Sequence, residues 1–205
     1  TIAELDSAVS GADVIFLTGP VHKQRTYAMV LADHLADGQV LVIAPGRSLG
    51  AVEAAWMLRI GGCTANITLV ETQGLPYWIS EAGAVLNLTA AAPVAAATLP
   101  RGRTDILESL SVYLPNLEPI SSVLESGFAD GSAMVELTAL LLSGPALSAG
   151  AASIPMGGVP LDENQTFAAL IGEQHRAVIS ALASERRVVA HAFGVRKLPS
   201  DDTWI

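Results

Sequence analysis

Three short segments of the sequence carry residues that could hold a ligand, and each belongs to the end of an apolar run. The first is Thr18–His22, which opens with Thr18-Gly19-Pro20. The second is Pro45–Gly50, which opens with Pro45-Gly46-Arg47. The third is Glu71–Tyr77, which opens with Glu71-Thr72-Gln73. Glycine lets a backbone approach a ligand closely, and arginine carries a charge that does not titrate. Three adjacent polar side chains at the end of a buried run are costly unless they form hydrogen bonds. We therefore expect these segments to form one binding edge.

Each segment also has a purely structural interpretation. The 45–50 segment joins a strand to a helix, where Ser48 and the free N–H groups of the first turn suit an anion. An ordinary tight turn is the alternative. His22 could donate a hydrogen bond to a ligand, or could be structural or solvated at a helix start. The 71–73 segment could contact substrate or satisfy an internal network. The sequence leaves these alternatives open.

Buried strands must position the three segments. Apolar runs without alternation at 13–20, 39–46 and 67–74 are typical of strands covered on both faces, as in a parallel sheet. Helical patterns at 23–36 and 48–60 supply the crossovers. In such sheets, ligands bind beyond the carboxyl ends of the strands. The first of these helices is predicted to bury one face, which carries Tyr27, Val30, Leu31 and Leu35.

The pattern changes after the third strand. Segments 84–91 and 94–99 are predicted to be two strands, and Pro93 between them favours a turn and an antiparallel pair. A helix follows at 104–113, and 119–125 is a last strand or an extended connector. From about residue 130 the chain is predicted to be helical.

The helical part contains a helix at 132–142, an uncertain one at 146–152 and a Gly/Pro-rich loop at 154–161. A long helix at 166–193 ends at Gly194. That helix is predicted to be amphipathic, with apolar positions Leu170, Val178, Leu182, Val189 and Phe193. We place the domain boundary between residues 119 and 130, so that the domains span 1–122 and 123–205.

Composition narrows the possible partners. The chain has 205 residues, of which 51% are hydrophobic, and a net charge of −9. This charge argues against a nucleic-acid partner, because phosphate neutralisation needs clustered Lys and Arg. The apolar stretch at 133–153 contains Glu136 and Pro145, so we expect buried helices and no membrane span. The single Cys63 cannot form an internal disulfide, and no signal peptide is visible, which is consistent with the cytoplasm.

Metal binding is not expected. No Cys-rich cluster exists, and no group of His, Asp and Glu has a convincing ligand spacing. His175 and His191 lie sixteen residues apart on the long predicted helix, too far to share one ion. The pair Arg186-Arg187 on the same helix could reach a substrate carboxylate, although a solvated helix face is the favoured interpretation.

Taken in order, these motifs resemble the octopine/nopaline dehydrogenase family, also called opine dehydrogenases. The similarity covers most of the chain, and it depends on the order and spacing of the motifs together. The matching segments are Ala12-Asp-Val-Ile, Asp37-Gly-Gln, Pro45-Gly-Arg, Gly62-Cys, Glu71-Thr-Gln, Leu75-Pro-Tyr, Ala96-Ala-Thr-Leu-Pro100 and Val123-Leu-Glu-Ser126.

The resemblance implies an α/β fold, in which a Rossmann-like, mostly parallel sheet is followed by an all-helical domain. It also implies that NAD or NADP is the cofactor and that an amino acid and a 2-oxo acid are the substrates, joined by reductive condensation or released by the reverse reaction. The helical domain would bind substrate or mediate dimerisation, so a homo-oligomer is expected.

The resemblance also assigns residues. Gly19, Pro20, Pro45, Gly46 and Arg47 would line the nicotinamide side of the cofactor. The polar triplet Glu71, Thr72 and Gln73 would place the substrate or the nicotinamide.

The sequence departs from the family pattern in three ways. The opening βαβ unit and its G-x-G-x-x-G loop are absent, so the chain is expected to be a fragment or an altered homologue. The chain is also expected to end inside the helical domain. Third, Glu136 stands where the family carries a catalytic His, with Asp130 and Ser132 at preceding Asn positions. Glu136 could transfer a proton if burial raised its pKa, or mark an inactive homologue.

Two functions therefore remain open. The leading one is an opine-dehydrogenase-like oxidoreductase with Glu136 in the proton-transfer position. The alternative is a non-catalytic homologue that keeps the fold as a binding or assembly scaffold. A sugar- or hydroxyacid-dehydrogenase relative would differ only in its substrate.

Overall fold

The computed structural model describes residues 4–75, 77–90, 93–142, 171–200 and 203, and it divides into two compact units. Unit 1 spans Thr1–Gly127 and unit 2 spans Phe128–Ile205. The sequence-based boundary at 122/123 lies five residues before this division. The roles assigned to the two domains remain predictions.

Unit 1 alternates strands and helices in its first half and is richer in strands in its second half. Its elements, in chain order, are α1 (Leu5–Val9), β1 (Val14–Leu17), α2 (Val21–Leu31), β2 (Val40–Ile43), α3 (Gly50–Ile60), β3 (Thr68–Thr72), β4 (Tyr77–Ala82), β5 (Val85–Ala90), β6 (Val94–Leu99), α4 (Thr104–Leu110), β7 (Leu117–Pro119) and α5 (Val123–Ala129), whose last two residues belong to unit 2.

The main sheet has the strand order β1-β2-β3-β6-β7. Strands β1, β2 and β3 are mutually parallel, β6 runs antiparallel to β3, and β7 is parallel to β6. The predicted fold class, a mostly parallel Rossmann-like sheet followed by helices, is confirmed.

Strand β2 shows why the apolar runs do not alternate with polar residues. All four of its residues are buried. Leu41 and Ile43 pack into a cluster with residues of α2 and α3, whereas Val40 and Val42 pack into a second cluster with residues of α4. Successive side chains of a strand point to opposite faces, so a strand covered by helices on both faces needs apolar residues at every position.

The antiparallel pairing expected between 84–91 and 94–99 is wrong. Strand β5 pairs instead with β4, and the two form a separate two-stranded sheet. Gly83, with φ +62°, lies in the two-residue turn between them. Strand β6 joins the main sheet beside β3. Glycine in a two-residue turn is typical of a hairpin. This local pairing was not predicted because no strand was predicted at 77–82.

The predicted buried face of α2 is also wrong in part. Tyr27 and Val30 are exposed, whereas the helix buries Gln24, Ala28 and Leu31. The reason is close packing at the end of α3, where a Cβ on Gly61 would lie only 2.5 Å from the Cβ of Ala32. Small residues let these two helices approach, so the larger apolar side chains are turned outward.

Unit 2 is helical in its described residues. It contains α6 (Ser132–Leu142) and α7 (Glu173–Ala192), which pack through Val135, Ala139 and Ile179. The bounds predicted for α6 agree with the structure, and Gly194, with φ +82°, follows α7 as predicted.

The apolar positions predicted for α7 do not form its buried face. Val178, Leu182, Val189 and Phe193 are exposed. The helix buries a different set, namely His175, Ile179, Ala183 and Ala190. Leu170, the segments 146–152 and 154–161, and the start of the predicted 166–193 helix lie outside the described residues. Among the helices of the described ranges, none has the length and apolar character needed to cross a membrane.

Candidate functional site

Strands β1, β2 and β3 end level with one another. In the register, Leu17 pairs with Ile43, and Ile43 pairs with Glu71. The backbone N–H of Ala44 donates to the carbonyl of Leu17 at 3.1 Å, and that of Gly46 donates to the carbonyl of Thr72 at 2.8 Å. The three segments singled out in the sequence (18–20, 45–47 and 71–73) thus lie along one edge of the sheet. We call it the carboxyl edge.

The 18–20 segment leads directly into α2. A Cβ on Gly19 would lie 2.8 Å from the Tyr27 ring, so glycine lets the turn pack against this side chain. Pro20 precedes the helix without a side-chain cap, and the first turn contains no acidic residue. It carries His22 and Lys23, both exposed. The positive end of the helix dipole and a lysine therefore coincide at the carboxyl edge.

The 45–47 segment is held by a hydrogen bond from a buried side chain of α2. The carbonyl of Pro45 accepts a hydrogen bond from Nε2 of the buried Gln24 at 3.0 Å. Arg47 has φ +53° and is exposed, so its guanidinium faces solvent at the carboxyl edge. Gln24 was not predicted to be part of this edge. Its position in the first turn of an otherwise amphipathic helix is the signal that could have identified it.

Glu71 is fully buried, and its side chain fills the N-terminus of α3. Its Oε2 accepts a hydrogen bond from the backbone N–H of Ala51 at 2.7 Å. A Cβ on Gly46 would lie only 2.7 Å from Cδ of Glu71, so the 45–47 segment passes directly over the carboxylate. The start of α3, which suits an anion, is therefore occupied by an acidic side chain of the chain itself.

The other two members of the polar triplet differ from each other in exposure. Thr72 is fully buried and its Oγ1 donates to the carbonyl of Gly74 at 2.8 Å. Gln73 is partly exposed, and its backbone N–H donates to the carbonyl of Ala95 at 2.9 Å. Of the triplet, Gln73 is thus the side chain that a ligand at the carboxyl edge could reach.

The β4–β5 hairpin lies between two strands that meet at the same edge. Strand β3 ends at Thr72 and β6 begins at Val94, with Thr72 opposite Ala96 in the register. The Tyr77 hydroxyl donates to the carbonyl of Tyr113 at 3.0 Å, which ties the base of the hairpin to the turn after α4. The hairpin was missed in the sequence, although two β-type runs flanking Gly83 were a signal for it.

Glu136 lies in unit 2, in the middle of α6, and is exposed. The start of this helix is fixed by Asp130, whose Oδ1 accepts hydrogen bonds from the backbone N–H and the Oγ of Ser132, at 3.1 and 2.6 Å. The side chain that was proposed to transfer a proton is thus carried on a capped helix.

Arg186 binds backbone of its own unit. Its Nε donates to the carbonyl of Phe128 at 2.8 Å and its Nη2 to the carbonyl of Asp130 at 2.6 Å. The guanidinium also lies 5.7 Å from the centre of the Phe128 ring. Burial lowers the pKa of Arg186 from its ordinary value. These contacts, which neither sequence-based interpretation of the Arg186-Arg187 pair foresaw, join α7 to the end of α5.

The histidines and the cysteine form no metal centre in the described part of the chain, where no group of three potential ligands comes together. His175 is buried and its Nδ1 accepts a hydrogen bond from the backbone N–H of Gly172 at 3.2 Å, which closes the first turn of α7. His191 is exposed. Cys63 is a free thiol packed against the core between the sheet and the α2–α3 layer.

No family model matches this sequence. Over 144 residues, or 69% of the chain, it is 25% identical to an opine dehydrogenase from Arthrobacter sp. (strain 1C), and the match covers 40% of that protein. The chain therefore spans well under half the length of this curated relative.

Solved structures show the same fold. The chain matches octopine dehydrogenase in its complex with NADH and L-arginine with a TM-score of 0.68 and 21% identity, over 91% of this chain and 45% of that one. It matches a PanE/ApbA family ketopantoate reductase from Ralstonia eutropha with a TM-score of 0.51 and 17% identity, over 96% and 57% of the two chains. The sequence similarity and the shared fold together confirm the resemblance of this chain to the opine dehydrogenase family.

Proposed function

We propose that this chain is part of an NAD(P)-dependent oxidoreductase that reductively condenses an amino acid with a 2-oxo acid, or catalyses the reverse oxidation. The level ends of β1, β2 and β3 carry this proposal, because they bring the 18–20, 45–47 and 71–73 segments to one carboxyl edge. Ligands of parallel sheets bind at that edge. The likeness to opine dehydrogenase in sequence, and to the fold of octopine dehydrogenase with bound NADH, supports the reaction class.

The residues present fit the nicotinamide half of a dinucleotide. The missing side chains of Gly19 and Gly46 let these two turns pack against Tyr27 and Glu71, and Pro20, Pro45 and Arg47 border the carboxyl edge where the ring would lie. The start of α2, with Lys23 and without an acidic residue, suits a nearby phosphate. The cofactor would supply the hydride, and the chain would orient it and exclude water.

Within the polar triplet, we assign contact with the substrate or nicotinamide to Gln73. Glu71 and Thr72 are fully buried, so their contribution would be indirect. Glu136 is the proposed proton donor and acceptor, on the basis of its place in the motif order of the family. We further propose that the protein acts in the cytoplasm as a homo-oligomer on small molecules.

The alternative is a non-catalytic homologue that serves as a binding or assembly scaffold. The exposure of Glu136 favours it, because active sites generally exclude water from around the reacting groups. Both candidates share the fold, and they differ in whether the carboxyl edge holds a nicotinamide cofactor.

Energy transfer from tryptophan to a reduced nicotinamide tests the proposal. The protein is titrated with NADH and with NADPH, and saturable quenching with emission from the nicotinamide is expected for one of them. No binding at millimolar concentrations of either cofactor would reject the oxidoreductase. Sedimentation of the same sample then tests the alternative, for which a monodisperse oligomer without cofactor affinity is expected.

A further inference from the structure

Two helices begin at the carboxyl edge, and their first turns differ in charge. The first turn of α2 has no acidic residue and carries His22 and Lys23. The first turn of α3 is closed by Glu71, a carboxylate from the neighbouring strand that accepts the N–H of Ala51. A helix N-terminus attracts anions through its unpaired N–H groups and its dipole. One start is therefore open to an anion, and the other already contains one.

We propose that Glu71 is a positioning residue that acts as the built-in anion of α3 and keeps phosphate groups away from the 45–47 segment. A fully buried carboxylate in contact with Gly46 repels a second anion at close range, and it also fills the space such an anion would need. This inference rests on the proposed function and extends it. The group that lies against Pro45 and Gly46 is uncharged or cationic, as a nicotinamide ring is in its reduced or oxidised form.

The contact between Gly46 and Glu71 makes the arrangement specific. A side chain at position 46 would collide with the carboxylate, with Cβ only 2.7 Å from Cδ of Glu71. The backbone N–H of Gly46 is also bound to the carbonyl of Thr72, the residue after Glu71. The 45–47 segment is therefore fixed both to the strand backbone and over the buried carboxylate, and the Gln24 amide holds the carbonyl of Pro45 in addition.

Inorganic phosphate is the probe for this proposal. In Glu71→Ala the start of α3 loses its anion and gains space, so phosphate is expected to bind there and raise the unfolding temperature. At phosphate concentrations far above its Kd, the increase should be about 3 °C relative to chloride at equal ionic strength. The matched control is Glu53→Ala, which removes an exposed carboxylate from the first turn of the same helix. Wild type and the control should show a smaller and equal response.

An equal response of Glu71→Ala and the control would overturn the proposal. If Glu71→Ala does not fold, Glu71→Gln keeps the volume and can still accept the hydrogen bond of Ala51. Because glutamine still fills the start of α3, loss of the charge alone should tighten the binding of inorganic pyrophosphate against the outer side of the 45–47 segment roughly tenfold, by about 1.4 kcal/mol, and an unchanged affinity would reject the proposal. Because neither probe is a nicotinamide cofactor, a protein that gains phosphate affinity without binding either NADH or NADPH would refute the proposed function and leave this inference intact.

Discussion

Gly46 lacks a side chain at the point where Glu71 occupies the adjacent space. Gly46→Ala should lower the free energy of unfolding by about 1–3 kcal/mol, as overpacking in a tight site does. Removing the obstacle in Glu71→Ala should relieve most of this cost. The double variant should therefore lose less stability than the sum of the single variants.

Chemical denaturation of the four proteins in this cycle measures the coupling. Gly74→Ala is the matched control, since a Cβ there would meet no atom within 4 Å. Strict additivity of Gly46→Ala and Glu71→Ala would show that the two residues do not compete for space.

Glu136 offers a second test at the scale of one residue. If it transfers the proton, Glu136→Gln should reduce kcat roughly 10²-fold or more and leave cofactor binding unchanged. Glu136→His introduces the residue type that the resemblance implies at this place and should retain more turnover than Glu136→Gln, because an imidazole can also transfer a proton. Equal turnover of the wild type and Glu136→Gln would remove Glu136 from the mechanism.

At the scale of the element, Arg186 shows how α7 is joined to the turn before α6. Arg186→Lys keeps the charge but cannot reach two carbonyls with one planar group, so unit 2 should lose about 1–2 kcal/mol of stability. Arg176→Ala, an exposed position on the same helix, is the control and should change stability little. Hydrogen exchange of the α6 and α7 amides would locate the effect, and unchanged protection would contradict this role of Arg186.

The start of α4 has a pH dependence whose sign follows from its ion pair. The side-chain hydrogen bond with Arg103 lowers the pKa of Asp105. A carboxyl group with a lowered pKa stabilises the folded state above its unfolded pKa of about 3.9, and this contribution is lost as the pH falls through the folded value. Asp105→Asn should therefore lower the unfolding temperature slightly at pH 7, and the effect should shrink as the pH falls toward 2. An equal effect at both values would exclude the ion pair as its cause.

The elements differ in how well the sequence predicts them. Strand β2 was predictable because helices cover both faces, so that every residue from Val40 to Ile43 is apolar. The face of α2 was not, because the close packing of Ala32 on Gly61 decides it and leaves Tyr27 exposed. The role of Glu71 could not be assigned either. A polar residue at a strand end can bind a ligand or the start of the next helix, and the sequence does not distinguish the two.

At the scale of the whole molecule, the excess of negative charge bears on how an anionic ligand approaches. The net charge is −9, while the carboxyl edge carries the cations Lys23 and Arg47. At low ionic strength, where the Debye length exceeds its value of about 10 Å at 0.1 M salt, the net negative charge of the chain repels an approaching dinucleotide. Added salt should therefore raise the association rate constant of the proposed nicotinamide cofactor at low ionic strength. Stopped-flow fluorescence measures it, and a steep fall with salt would show that local attraction dominates.

The β4–β5 hairpin follows β3 and precedes β6, and these two strands pair with each other in the main sheet. The β3–β6 pairing fixes both ends of the hairpin, and no hairpin residue takes part in it. Insertions, deletions and substitutions in the hairpin should consequently change the stability of the main sheet little. Lineages that diverge in what they recognise at this edge should accumulate insertions and deletions between Gln73 and Val94 sooner than in the strands on either side.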